Sequence, residues 1–142
     1  MPSPSRRQCR EWALQFLYQA EFRGNCREGQ DLTEFWQAFH PGDEIPAYLN
    51  ELVAGTASHL EALDELIRRY SEHWRLERMS AVDRNVLRLA AYELLYEPEV
   101  PPKVAINEAV DLAKRYGTED SGAFVNGLLD RIRVAAGREI EG

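Results

Sequence analysis

The stretch FVNGLLD, Phe124 to Asp130, decides the fold class, because it reads in two incompatible ways. Asn-Gly between alternating apolar residues is the strongest short-range signal for a two-residue β-hairpin. The flanks here do not alternate. Phe124, Val125, Leu128, Leu129 and Ile132 fall at i, i+1, i+4, i+5 and i+8, the stripe of one helix face. Asn126 and Gly127 therefore stand inside a helix, where both are poor formers and Gly costs about 1 kcal/mol relative to Ala. With Phe124 and Val125 turned to the core, Asn126 and Asp130 point outward together and Gly127 lies on the adjacent flank. Two explanations of the pair stand side by side. Gly127 admits a neighbouring backbone while Asn126 is merely solvated, or the flank is open to a ligand that Asn126 holds.

The rest of the chain carries the same period. Ser5 and Gln8 form an S-x-x-Q capping box before a helix with Cys9, Trp12, Ala13, Phe16, Leu17 and Ala20 on one face, stopped at Gly24. A short helix follows over Leu32 to Phe39, with Asp31 and Glu34 at its start, and HPGDEIP breaks it. Leu49, Leu52, Val53, Leu60, Leu63 and Ile67 predict one long helix from Ala47 to Tyr70, and a short turn takes in Trp74 and Leu76. From Ser80, with Asp83 three residues on, apolar side chains cover almost the whole circumference of Ala81 to Tyr96, so this helix should be central. EPEVPP ends it. A sixth helix runs from Pro102 to Tyr116 with Gly117 at its stop, and Thr118 to Ser121 leads into the last. No alternating strand appears, so the fold class is all-α, in a single domain over residues 1–142.

Composition narrows the function. The 142 residues are 44% hydrophobic and 29% charged, the balance of a soluble globular protein, and no apolar run suits a signal or a membrane span, which points to the cytosol. Cys9 and Cys26 have no Cys-x-x-Cys spacing and are expected as reduced, partly buried thiols. His40, His59 and His73 lack metal-ligand spacing, and there is no phosphate loop or nucleophile elbow, so no enzyme activity, metal or cofactor is expected. Net charge is −7, unevenly spread: residues 1–27 carry +3, 28–100 carry −9 and 101–142 carry −1. A basic end on an acidic body suggests two surfaces with different partners.

Arg6, Arg7 and Arg10 stand in the first turns of helix one, where the helix dipole disfavours cations by roughly 0.3–1 kcal/mol each. Together with the exposed N–H groups there they can form a phosphate site, or they can be a merely solubilising terminus. Arg7, Glu11, Leu14 and Tyr18 form a second face of the helix, turned away from the core stripe. Tyr18 can stack a base of single-stranded RNA, pack on a protein partner, or simply close the core.

The segments RRQCREWALQFLY, VDRNVLRLAAYELLY and VPPKVAINEAVDLAKRYGTEDSGAFVNGLLD resemble the NusB family of bacterial transcription antitermination factors, KVAINEAVDLAK followed by FVNG being the most specific part. The similarity covers helix one and residues from about 76 to 132, while 25 to 75 match only in helical pattern. The resemblance implies two small helical bundles packed across one another. It implies binding to the boxA element of nascent ribosomal RNA, in a heterodimer with the small-subunit ribosomal protein NusE that loads with other Nus factors onto RNA polymerase. By position it assigns Arg6, Arg7 and Arg10 to RNA, Tyr18 and Asp83 to the partner surface, and Asp120, Phe124 and Asn126 to the border of the RNA path. Two other readings remain: a protein-binding helical adaptor without RNA activity, and the helical domain that precedes some ribosomal RNA cytosine methyltransferases. The latter is disfavoured by a chain that begins with Met and closes on GREIEG without room for a cofactor-binding domain.

Overall fold

The structure, a computed structural model, describes residues 4–22, 32–71 and 75–138. Expectations placed on Gly24, Cys26, Asp31, His73 and Trp74 lie outside the described residues. Seven α-helices account for most of what is described: α1 (Arg6–Phe22), α2 (Leu32–Phe39), α3 (Ala47–Ser58), α4 (Leu60–Tyr70), α5 (Ala81–Tyr96), α6 (Pro102–Tyr116) and α7 (Ser121–Ala135). A single 3₁₀ turn, Leu76–Arg78, precedes α5, and no strand occurs among the described residues.

The start of α1 is capped as its sequence predicts. The Gln8 amide donates to Ser5 Oγ at 3.1 Å, and Gln8 Oε1 accepts from the Ser5 amide at 3.4 Å. Ser80 caps α5 by accepting from the Asp83 amide at 3.1 Å. α5 is the centre of the molecule. Asn85 to Leu94 are buried without interruption, and α5 packs on α1, α3, α4, α6 and α7, while α4 also packs on α7. One apolar core runs through these helices.

The expected long helix from Ala47 to Tyr70 is two helices, broken at His59. The cause is tertiary. A Cβ on Gly55 would stand 2.2–2.3 Å from the Tyr92 ring, so α3 meets α5 through a bare backbone. His59 then stacks on Tyr96 with centroids 3.9 Å apart, and its amide bonds back to Gly55 and Ala57 carbonyls at the end of α3. Gly55 through Ser58 hold few strong helix formers to resist that kink.

Candidate functional site

Helix α1 brings two of its three N-terminal arginines to the surface and takes the third inside. Arg6 and Arg7 are half-exposed. Arg10 is not: its side chain is 6% exposed, and its Nε donates to both carboxylate oxygens of Glu93 at 2.8 and 3.0 Å. Tyr48 of α3 donates its hydroxyl to the same carboxylate, and burial, together with that hydrogen bond, pushes the phenol well above its ordinary pKa. The expectation that Arg10 presents a guanidinium to phosphate is therefore corrected. It faces α5 because it falls in register with Ala13, Leu17 and Ala20 on the buried stripe of α1.

The two outer arginines are not bare either. Arg6 sits 3.9 Å from Glu99, with its guanidinium 4.7 Å over the Tyr48 ring. Arg7 pairs with Asp111 of α6 and lies 3.8 Å from Glu108. Further along, Glu11 accepts from Arg115 and, at 3.3 Å, from the Tyr116 hydroxyl. The pairs of Arg7 with Asp111 and of Glu11 with Arg115 occur in the same order along α1 and α6, so side chains bridge the two helices along one shared face. It is charged at the Arg6 and Arg7 end and aromatic at the other.

At the aromatic end Leu14, Gln15, Tyr18, Gln19, Val82 and Tyr116 line an open groove of about 360 Å³. Tyr18 is exposed, with its ring edge-on to Phe22 at 4.8 Å. Leu14, expected outward, is buried, and it shares the lining of this groove with Val82 of α5 and Tyr116 of α6. Beyond Val82 comes a second cleft of about 400 Å³ lined by Arg78, Met79, Ser80, Asp83, Thr118, Asp120, Ser121 and Phe124. The structure thus gathers Asp83, Asp120 and Phe124 around one depression, with Tyr18 in the adjoining groove. Asp83 Oδ1 is enclosed and has no hydrogen-bond partner among the described residues.

The stretch FVNG behaves as a helix. Phe124 packs partly buried against the core, Val125 is fully buried, and Asn126 is exposed. Among the described residues Gly127 is not a packing contact: a Cβ there would meet only the guanidinium of Arg131, at 3.7 Å on its own helix. No described residue makes the close approach, which leaves the open-flank explanation. Asp120 stands at the start of α7 without a side-chain capping bond.

The NusB family model matches residues 7–133. The chain belongs to the NusB family. The transcription antitermination protein NusB of Sorangium cellulosum is 55% identical over 130 residues, 91% of each chain. That of Myxococcus xanthus is 49% identical over 135 residues, 92% of this chain and 96% of its own. Among solved structures, T. maritima NusB superposes with a TM-score of 0.81 at 43% identity, covering 94% of this chain and 93% of that one. A crystal structure of the antitermination factors NusB and NusE with dsRNA gives 0.78 at 31%, covering 92% and 96%. Membership extends through 25–75, where the sequence showed only a helical pattern. Two features of this NusB-family surface escaped the sequence reading: the neutralising carboxylates on α6, and Tyr116 opposite Tyr18. The i, i+3, i+7 run of Glu108, Asp111 and Arg115 on one side of α6 was the available signal for the first.

Proposed function

We propose that the chain is a cytoplasmic transcription antitermination factor, a single helical domain without enzyme activity that binds boxA RNA of nascent ribosomal transcripts together with NusE. The family match over almost the whole chain carries this reading. The structure fits it with two adjoining surfaces. RNA phosphates would take Arg6 and Arg7 in exchange for Glu99, Glu108 and Asp111, and the path would continue past Phe124 and Asn126 on the open flank of α7. NusE would cover the Tyr18–Tyr116 groove and offer a basic group to Asp83, whose lone enclosed oxygen otherwise costs about 1–3 kcal/mol of desolvation. Other Nus factors and RNA polymerase would join the assembled complex.

Because each outer arginine already faces a carboxylate, the chain alone should bind boxA weakly and the NusE complex should bind it more tightly. The same neutralisation is the observation that favours the adaptor reading, in which only NusE binds. Anisotropy titration of labelled boxA RNA with the chain, with NusE and with the mixture separates the two. Binding that is tightest for the mixture and weaker for a scrambled RNA supports the proposal; a mixture no better than NusE alone overturns it.

A further inference from the structure

The basic side chains beside the proposed RNA path differ in one respect: whether a carboxylate already occupies them. Arg6 has Glu99, Arg7 has Asp111 and Glu108, and Arg115 has Glu11 and Asp111. A phosphate reaching any of these must displace an anion, which reduces the net gain. Lys114 of α6 is exposed, and no carboxylate lies within ion-pair distance of it among the described residues. Its stem is not loose. It lies along the first turn of α7, with Cγ and Cε each 3.0 Å from the point where a Cβ on Gly122 would stand. Gly122 is buried beneath it. Any larger side chain at 122 would have to push the lysine aside, so the glycine provides the seat and the seat fixes where the ammonium emerges, one helical turn before Asn126.

From this juxtaposition we infer that Lys114, seated on Gly122, is a phosphate-contacting residue of the RNA surface, joining the Arg6 and Arg7 end of α1 to the open flank of α7. The inference rests on the RNA-binding reading above and adds a residue to it. A lysine ammonium is a compact point charge without the planar fork that reads base edges or clamps a phosphate bidentately. It should therefore hold the backbone without selecting sequence.

The test uses the full chain with NusE, a single-stranded boxA RNA and a scrambled RNA of equal length, titrated over a range of salt. Lys114→Gln should weaken both RNAs by the same factor, roughly three- to tenfold near physiological salt, and flatten the log–log salt slope by about 0.7, the share of one phosphate on a single strand. Lys114→Arg should keep the slope. Arg69→Gln, the same charge change on α4 at a residue paired with Glu65, should leave it untouched. Gly122→Leu should weaken binding in the parent but add nothing to Lys114→Gln. An unchanged slope for Lys114→Gln, a Lys114→Arg variant as weak as the glutamine one, or an equal effect of Arg69→Gln overturns the inference. Failure of the unaltered chain with NusE to bind boxA overturns the proposed function itself.

Discussion

Arg7 and Arg10 stand one turn apart on α1, and both face carboxylates, yet the two regions they belong to work in opposite ways. Arg10 and Glu93 are nearly sealed from water, Tyr48 donates to the same carboxylate, and Arg10 touches the rim through Glu108, 3.5 Å away, which it shares with Arg7. Arg7 is half in solvent, and its partners Glu108 and Asp111 are themselves partly exposed. An exposed pair is worth about 0–1 kcal/mol, so it can be exchanged for a phosphate at little cost, whereas opening a buried pair strands a charge. The difference separates an arginine that holds α1 onto α5 from arginines that are available to a ligand. A second buried cluster makes the same point. Arg88 reaches Asp64 at 2.7 and 2.9 Å and Glu21 at 2.9 Å, and Arg84 shares Glu21 while bonding the Leu76 and Met79 carbonyls.

The largest effect should come from breaking the buried pair. Arg10→Ala leaves Glu93 uncompensated and should cost about 3–5 kcal/mol in urea unfolding, while the Arg10→Met, Glu93→Leu double variant should recover most of that loss. A buried carboxylate with no cation paired to it among the described residues sharpens the contrast. Glu97 is buried at the end of α5, where it accepts from the Tyr92 hydroxyl at 2.8 Å. Burial first, then Glu99 and Glu51 nearby, push its pKa up to about 7 against the opposing Tyr92 bond. The folded chain thus holds a proton that the unfolded chain releases near pH 4.5, so this group's contribution to stability declines as pH rises between those values. Glu97→Gln should remove that decline and stabilise the protein by roughly 1–2 kcal/mol at pH 8 relative to pH 5, read from paired denaturant curves.

Surface charges should act on binding rather than folding. Asp83→Lys should weaken the NusE complex by slowing association and speeding release, with at most a modest loss of stability. Unaltered heterodimer affinity in calorimetry would remove Asp83 from the interface. The smallest effect is expected for Asp120→Asn. Its carboxylate makes no capping bond, so the fold should be indifferent apart from a dipole contribution of about 0.3–1 kcal/mol, and RNA binding should tighten slightly at low salt as a repelling charge is removed. Equal RNA affinities at low ionic strength would place the path away from the start of α7.

Helical period alone was enough to read α1, α2, α5, α6 and α7, because their apolar stripes record which face the core takes. The break at His59 was illegible for the opposite reason: it is imposed by Tyr92 packing on Gly55, two residues far apart in sequence. At the candidate site, Arg6, Arg7, Tyr18 and Asn126 are exposed as their helix phase requires. Arg10 was misjudged because its charge outweighed its phase. It lies on the same stripe as Ala13 and Leu17, and its partner Glu93 lies on a helix buried all round, a pairing that neither residue announces locally. The seat of Lys114 on Gly122 joins two helices and has no counterpart in either one's pattern.

The claim that exchangeable arginines bind RNA while the sealed one builds the fold is tested most directly by salt dependence. With NusE present, boxA RNA is titrated against the Arg6→Ala, Arg7→Ala double variant and against Arg10→Met, Glu93→Leu. Two lost phosphate contacts should flatten the log–log slope of the first by about 1.4, and the second should retain the parent slope. A parent slope in the first, or a flattened one in a folded second variant, would contradict the account.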